Sequence, residues 1–279
     1  MMRSKKQNPV YLLSLKAWAF MKRDFRIATS YQLQFILTTF NSLFILAMLF
    51  FIGKMVNPQT PGLARFGGNY FAFVLIGYGF YQYFQLALTS FAGTIQSDQM
   101  SGCLEAVLGT QTKPEEAILF SSSYGMLVAL VQLLVIFIFG SLAFKADLSN
   151  INVFSTLITF MLSVMVFTGF GILSAAFIVV NKKGDPLGWL IMTLNFVFGG
   201  AFFPIEQMPS WMQNIASFIP ATYALDSLRM SIMNGTGIVA LARPLGILSL
   251  WALCLLPLSF TLFRRSIRRA KKEGTMVLY

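Results

Sequence analysis

Six long stretches of the chain contain no charged residue, and they constrain the fold more than any other feature. A helix needs about 20 apolar residues to cross the hydrocarbon core of a bilayer, and each stretch reaches that length. The uncharged stretches cover residues 27–53, 66–97, 117–144, 148–181, 186–205 and 244–263. With 56% hydrophobic and 11% charged residues, the chain is not an ordinary soluble domain, which carries about 25% charged residues. We predict an all-α polytopic membrane protein whose six transmembrane helices lie at 31–53, 70–91, 117–144, 151–180, 186–204 and 244–263.

Lysine and arginine are concentrated near the two ends of the chain, which predicts the orientation of the spans. Of the 21 basic residues, seven lie in 1–30 and six in 264–279. With six spans, 16 basic residues fall on the side of both termini and five on the other side. Because basic loops stay in the cytoplasm, we predict that both termini are cytoplasmic. As the location we expect the plasma membrane of a prokaryote. A five-span arrangement would leave a basic tail outside and is disfavoured. Basic residues that flank an apolar core indicate a lipid bilayer as partner, and no nucleic acid.

Residues that usually carry catalysis or bind cofactors are scarce in this chain. It has no histidine, and the two cysteines, Cys103 and Cys254, form no CxxC pattern. The phosphate-binding motif GxxxxGK[ST] is absent, since Gly53 and Lys54 precede Met55 and no glycine stands at the required place upstream. We predict that the chain is not an enzyme and holds no metal or cofactor, with a Ser–Lys pair as the one catalytic alternative left open.

Only neutral polar residues interrupt the predicted spans. Ion-coupled carriers usually keep an ionisable residue at membrane depth, so its absence suggests that any transport draws its energy from a partner. Such amides are often hydrogen-bonding groups between helices and sometimes substrate ligands. The amides in the spans include Gln132 and four that we consider as possible pathway groups: Asn41, Gln82, Gln85 and Asn195.

The segment 206–243 has a long uncharged run, but Pro209 and Pro220 divide it into pieces too short to cross a membrane. Ser210 with Gln213 predicts a capped first helix, and Asn234–Gly235 predicts the end of a second. We interpret them as two short helices that dip into the external face, with an interfacial amphipathic hairpin as the alternative. Asp226 and Arg229 lie three residues apart, so we expect them either to pair with each other or to act in gating.

Two further segments are predicted to be helical on the cytoplasmic side. Residues 98–112 carry apolar side chains at helical spacing, and Thr112 to Glu115 form a capping box for the next span. This segment is either a docking surface for a cytosolic partner or a solvated loop helix. Residues 9–30 interleave basic and aromatic side chains, which suits a helix at an anionic cytoplasmic leaflet.

Two segments resemble a known family. Residues 102–114, GCLEAVLGTQTKP, resemble the GTLE-x-LL-x-TP stretch that follows the second span in permease subunits of the ABC-2 type. The signature before the last span of that family resembles Phe203–Pro204, Pro209 to Trp211, Pro220 to Tyr223 and Asp226 to Arg229. The resemblance covers almost the whole chain. It implies a type V exporter fold of two permease copies, identical or related, driven by two copies of a separate ATP-binding subunit that holds ATP and Mg.

The resemblance also assigns roles to segments by their position. Residues 98–112 would be the coupling helix, with Glu105 facing the ATPase, and residues 9–30 the connecting helix. Residues 205–234 would be re-entrant helices that close the pathway. Cys103 stands where the family usually has threonine. The implied coupling contacts are Met100, Cys103, Leu104, Glu105, Val107 and Leu108, and the implied gate residues are Pro204, Pro209, Trp211, Pro220, Tyr223, Asp226 and Arg229.

The leading hypothesis is a permease that exports an amphiphile such as a drug, a lipid or a lipid-linked molecule. In this hypothesis, ATP-driven closure of the partner dimer pushes residues 98–112 and opens a path between two permease copies. A polysaccharide or teichoic-acid export permease of the same family is an alternative. A non-transporting membrane sensor or a membrane-embedded enzyme is an alternative from another class.

Overall fold

A computed structural model describes residues 9–29, 32–57, 62–103, 113–146, 148–181 and 184–273. These residues form nine α-helices and no β-strand, as the sequence predicts for an all-α protein. Short 3-10 turns at Ala64–Phe66 and Ile205–Gln207 lie between them. In chain order the helices are α1 Pro9–Thr29, α2 Gln32–Gly53, α3 Tyr70–Met100, α4 Pro114–Phe144, α5 Val153–Asn181, α6 Pro186–Phe198, α7 Ser210–Ala216, α8 Pro220–Met233 and α9 Ala242–Lys272.

Five of these helices are long and apolar enough to cross a membrane: α2, α3, α4, α5 and α9. The last four have 29 to 31 residues, or about 45 Å, and therefore exceed a hydrocarbon core of about 30 Å. The sixth predicted span, 186–204, differs. Its helix α6 has only 13 residues, about 20 Å, and ends at Phe198, where Gly199 and Gly200 begin an irregular segment.

Helix α3 lies at the centre of the bundle, and α2 lies at its edge. Most faces of α3 are buried, and buried residues along its length, such as Phe73, Phe84 and Phe91, belong to three successive apolar clusters. Helix α2 instead exposes a row of large apolar side chains, with Phe40 and Phe44 more than 70% accessible. An exposed apolar helix of this length is typical of a lipid-facing span.

Helices α2 to α5 alternate in direction and α9 runs parallel to α5, which gives the bundle two ends. At the end that we call the basic end, α3 stops at Met100, α4 starts at Pro114 and α9 finishes at Lys272. At the opposite end lie residues 62–69, the irregular segment 199–207 and the C-terminal end of α8. Helix α8 runs alongside α3, so that Ala221 lies beside Gln85 while Arg229 reaches Phe73 nearer the opposite end.

The chain around the predicted coupling helix is only partly described. Helix α3 continues to Met100 instead of ending near residue 91, so its last turns extend past the membrane-spanning length. Gly102 then turns the chain with a positive φ of 70°. Met100 and Cys103 are exposed. Leu104, Glu105, Val107 and Leu108 lie outside the described residues, so the predicted coupling helix and its contacts stay predictions.

The two prolines divide the segment before α9 as predicted. Helix α7 begins directly after Pro209, and α8 begins at Pro220, where a missing N–H costs nothing in the first turn. The predicted end of α8 is also confirmed, since Asn234 follows the last helical residue and Gly235 has a φ of 64°. The capping box at Ser210 is wrong: Pro209 precedes the helix, and the Gln213 amide donates instead to the carbonyl of Met208 at 2.8 Å.

Candidate functional site

A small cavity lies between α3, α5, α6 and α8 and has room for about one water molecule. Aromatic and aliphatic side chains form most of its wall, and two of the predicted pathway amides, Gln85 and Asn195, face it together. No charged residue lines it. The lining residues are Tyr81, Phe84, Gln85, Leu88, Phe167, Met192, Asn195, Ala221 and Leu225. Small-molecule sites have the same kind of lining but volumes of about 300–1,000 Å³, so this cavity has the composition of such a site and not its size.

Asn195 is the polar group of this cavity with the clearest unmet requirement. It is 7% exposed, and its Nδ2 donates to the carbonyl of Ile191 at 2.7 Å within the same helix. Its buried Oδ1 has no hydrogen-bond partner among the described residues. Because an unpaired buried acceptor costs free energy, a hydrogen-bond donor that entered the cavity would be stabilised at this atom.

The other two predicted pathway groups lie elsewhere. Gln82 Nε2 donates to Ser42 Oγ at 3.3 Å, and Gln132 Nε2 donates to the same oxygen at 3.0 Å. These bonds join α2, α3 and α4 and correspond to the structural role that helix-bridging amides often have. Asn41 is exposed on α2, away from the cavity. The structure therefore separates Asn41 and Gln82 from Gln85 and Asn195.

Arg65 connects three segments at the opposite end. Its guanidinium forms ion pairs with Glu206, at 3.2 Å, and with Asp226 on α8. The backbone carbonyl of Arg65 accepts a hydrogen bond from the Asn234 amide at 2.9 Å, just after α8. The expected pairing of Asp226 with Arg229 is therefore wrong, because Arg65 takes the carboxylate of Asp226 and Arg229 points into the protein.

Arg229 is a buried cation without a carboxylate partner among the described residues. It is 4% exposed, and it donates from Nε to the carbonyl of Phe73 at 3.1 Å and from Nη2 to that of Ala201 at 2.8 Å. Its guanidinium carbon also lies 3.5 Å from the centre of the Phe73 ring, in cation–π geometry. Burial, followed by the nearby Arg65, lowers the pKa of Arg229 to about 9, so the side chain stays protonated at neutral pH.

Gly77 on α3 makes the position of Arg229 possible. A Cβ atom at this glycine would overlap the carbonyl oxygen of Ala201 and Nη2 of Arg229. Because the carbonyl belongs to the backbone, the overlap could not be relieved by a side-chain rotation. This arrangement has no signature in the sequence, since a glycine inside an apolar helix has no local signal that marks it as a contact for an arginine 152 positions later.

The remaining predicted gate residues differ in their surroundings. Pro204 and Pro220 are buried, whereas Pro209 and Trp211 are exposed. The Tyr223 hydroxyl donates to the carbonyl of Ser217 at 2.7 Å and so fixes the link between α7 and α8. These residues belong to one region, but the structure does not test a gating role.

At the basic end, acidic residues at the ends of α3 and α4 pair with cations from the chain termini. Lys16 of α1 lies 3.2 Å from Glu116, and Arg264 of α9 pairs with the adjacent Glu115. Asp98, near the end of α3, lies 3.8 Å from Arg23. Both ends of the segment 99–114 are thus connected to α1 or α9.

Helix α1 lies along the first turns of α4. Phe20 faces Phe120, with ring centroids 6.2 Å apart, and Phe25 meets Tyr124 at 6.3 Å. Burial raises the pKa of the neighbouring Asp24 carboxyl, and a hydrogen bond from Arg23 acts against that shift. The prediction of a helix over 9–30 is confirmed, but Lys16 and Arg23 contact carboxylates of the protein where the sequence analysis assigned them to the lipid surface.

Comparison with known proteins identifies relatives of the chain. A Porphyra purpurea protein described as a transport permease, ycf38, is 32% identical over 159 residues, which make up 53% of this chain and 54% of that protein. Nodulation protein J of Rhizobium leguminosarum bv. viciae is 30% identical over 80 residues, which make up 29% of this chain and 30% of that protein. The chain thus spans about half, or less, of the length of these relatives.

A family match covers far more of the chain than these pairwise similarities do. It extends over residues 11–233, from α1 to the last residue of α8, and so includes the cavity, the segment around Arg229 and the ion pairs between α1 and α4. Together with the five helices that can span a membrane, this match identifies a multi-pass membrane protein with a role in transport. The chain belongs to the ABC-2 type transporter family.

Proposed function

We propose that the chain is the permease subunit of an ATP-driven exporter of amphiphilic molecules. Two permease copies, identical or related, form the translocation pathway, and two copies of a separate ATP-binding subunit drive it. The family match carries this proposal, since members of the family generally work with such a subunit. ATP and Mg²⁺ then belong to the partner.

The cavity supports an amphiphile as the substrate class. Its wall is mainly aromatic and aliphatic, which suits an apolar body, and Gln85 and Asn195 offer hydrogen bonds to a polar group. The unpartnered Oδ1 of Asn195 favours a substrate with a hydroxyl, amide or ammonium donor. Because the cavity lies within one copy and has room for about one water molecule, a substrate could enter only if α6 and α8 moved away from α3 and α5 during the transport cycle.

The basic end supports coupling to a cytosolic subunit. Helix α3 ends at Met100 and α4 begins at Pro114 there, and Asp98 and Glu115 near these ends pair with cations on α1 or α9. A push on the chain between α3 and α4 would therefore move α3, α4 and the two terminal helices together. In this proposal Met100, Cys103 and residues 104–112 contact the ATPase, with Glu105 as the central contact.

A six-span layout agrees with the orientation predicted from the charges. Both termini lie in the cytoplasm, and α6 with the irregular segment after it makes the sixth passage. Helices α7 and α8 form the re-entrant pair that closes the external end, since α8 begins beside the cavity and ends at Arg65.

ATP is a better fit than an ion gradient as the energy source. None of the described residues that line the cavity is a carboxylate that could carry a proton, and the buried Arg229, as an arginine, remains protonated.

The proposal is tested by purifying the tagged full chain in mild detergent from membranes of its native host. We expect a protein with a phosphate-binding loop to copurify in equal proportion, and we expect the complex to hydrolyse ATP. Replacing Glu105 with alanine should uncouple hydrolysis from transport of rhodamine 6G in proteoliposomes. Purification of the chain alone, with no ATPase, would contradict the proposal and favour a sensor or an enzyme.

Variants of the cavity test the proposed pathway. Q85A and N195A should raise the concentration of rhodamine 6G at half-maximal transport by about tenfold, since a lost hydrogen bond to a ligand corresponds to about 1–2 kcal/mol. N41A removes an exposed amide outside the cavity and should leave that concentration unchanged. Equal effects of all three variants would contradict the assignment of the cavity.

A further inference from the structure

Helix α6 ends in an unusual way. It has 13 residues, and after Phe198 the chain continues to Pro204 without regular structure. The carbonyl groups at such an end have no partner within the helix, and in a membrane protein they need partners from elsewhere in the protein. Gly200 and Ala201 are buried, so the segment lies inside the bundle.

Three side chains donate hydrogen bonds to carbonyls of this segment. Thr222 of α8 donates to Phe198 at 3.2 Å, and Tyr70 at the start of α3 donates to Phe202 at 3.0 Å. Arg229 donates to Ala201 at 2.8 Å. None of these donors is close to the segment in sequence, so the end of α6 is satisfied by tertiary contacts from α3 and α8.

A cation buried without a carboxylate needs other acceptors. Arg229 finds one of them just beyond α6, at the carbonyl of Ala201, three residues after the last helical residue, Phe198. The carbonyls of Phe73 and Ala201 and the face of the Phe73 ring surround the guanidinium. These groups replace the carboxylate that a buried arginine would otherwise need.

The same end of α6 carries the polar group of the cavity. The carbonyl of Asn195 accepts the hydrogen bond from the amide of Gly199, which closes the last turn of the helix. A Cβ at Gly199 would lie 3.2 Å from that of Ala221, which itself lines the cavity. A shift of the segment after Phe198 would therefore change the position of Asn195.

We propose that Arg229 is a positioning residue: it holds the segment after α6 through the carbonyl of Ala201 and, together with Thr222 at the carbonyl of Phe198, forms a cap that fixes Asn195 at the cavity. The effect on Asn195 matters for transport only if the cavity is the pathway, so that part rests on the proposed function. The capping of α6 does not depend on it.

Hydrogen exchange of the full chain in lipid nanodiscs tests the cap directly. In R229M the amides of residues 195–204 should exchange at least tenfold faster than in the unmodified chain, and in R229K the increase should be smaller because the charge remains. R65Q is the matched control, since Arg65 lies in the same region but is exposed, and it should leave these rates unchanged. Unchanged exchange at 195–204 in both Arg229 variants would overturn the proposal.

A milder variant keeps the test decisive if R229M does not fold. T222V removes only the donor to the carbonyl of Phe198, and it should increase the exchange rate at 195–199 without affecting α2. R229K together with T222V should increase it further. If the double variant exchanged like the unmodified chain, the end of α6 would not depend on these caps.

Transport measurements separate the cap from the proposed function. R229K should raise the half-saturating concentration of rhodamine 6G, as N195A does. A variant that combines R229K with N195A should raise this concentration little beyond the value for N195A alone. Additive effects would contradict the link to Asn195. If the unmodified complex moved no rhodamine 6G although exchange at 195–204 responded to R229M, the proposed pathway would fail while the cap stood.

Discussion

Both ends of the helix bundle have exposed ion pairs, but the opposite end also holds a buried cation, Arg229. At the basic end, Lys16 and Arg264 pair with adjacent carboxylates at the start of α4, and all of these pairs are partly accessible to solvent. At the opposite end, Arg229 is fully enclosed and bonds to two backbone carbonyls. Exposed ion pairs contribute about 0–1 kcal/mol each and can exchange partners, whereas a buried cation cannot lose its acceptors without a large cost.

This difference indicates which end can change its contacts. The ion pairs at the basic end connect separate helices through flexible side chains, so a partner could rearrange them at little cost. The Arg229 contacts depend on backbone atoms of α3 and of the segment after α6, which have to move together. We therefore expect the basic end to receive a conformational signal and the region around Arg229 to move as one unit.

The largest expected effect comes from G77A. The new methyl group would overlap Arg229 and the carbonyl of Ala201, so we expect a loss of about 1–3 kcal/mol or more in the free energy of unfolding. The measurement is thermal unfolding of the purified chain in detergent. G93A, in the same helix, is the matched control, because no atom lies near its added methyl group and alanine favours a helix. Equal stability of the two variants would show that the close contact at Gly77 is not tight.

The second effect is smaller and concerns the basic end. E115Q combined with E116Q removes the pairs with Arg264 and Lys16, and we expect a loss of about 1 kcal/mol in total because the pairs are partly exposed. The same unfolding assay checks this value. A loss as large as that of G77A would mean that the basic end is as rigid as the opposite one.

Salt should distinguish the two ends without any substitution. At about 0.5 M KCl, exposed ion pairs are strongly screened and buried contacts much less so. We expect amide exchange to increase in α1 and at the start of α4, while residues 195–204 keep their rates. Faster exchange at 195–204 in high salt would contradict a buried, carbonyl-bound Arg229.

The smallest effect is expected for R65Q. Arg65 is 46% exposed at its side chain, so the loss of its two ion pairs should change stability by about 0.5 kcal/mol or less. Chemical unfolding of R65Q beside the unmodified chain measures this difference. If R65Q lost more than about 2 kcal/mol in the free energy of unfolding, Arg65 and not Arg229 would make the main stabilising contacts at the opposite end.

The sequence predicted the elements that depend on local pattern. Uncharged runs marked the five long helices, Pro209 and Pro220 marked the starts of α7 and α8, and Asn234 marked the end of α8. The early end of α6 was missed because residues 199–204 carry no charge, although Gly199 and Gly200 followed by Pro204 form a common pattern at helix ends. The structure adds how the freed carbonyls are satisfied, since they accept hydrogen bonds from the side chains of Tyr70, Thr222 and Arg229.

The partners of the charged residues could not be predicted from the sequence either. Asp226 and Arg229 have the spacing of an ion pair on one helix, but their side chains leave α8 in different directions and meet different segments. Of the four amides proposed for the pathway, the fold brings only Gln85 and Asn195 to one cavity. Which amides share a cavity depends on helix rotation and depth, and an apolar sequence encodes both only through its packing.

The number of substrate molecules moved per ATP hydrolysed tests the central claim most directly. It should be measured in proteoliposomes that contain the complex, with rhodamine 6G as the probe, for the unmodified chain and for E115Q/E116Q. We predict that the variant still hydrolyses ATP but moves several-fold fewer dye molecules per ATP, because the connections of the basic end to α1 and α9 are lost. An unchanged ratio would contradict the account, since the ion pairs of the basic end would then have no part in transmitting the signal.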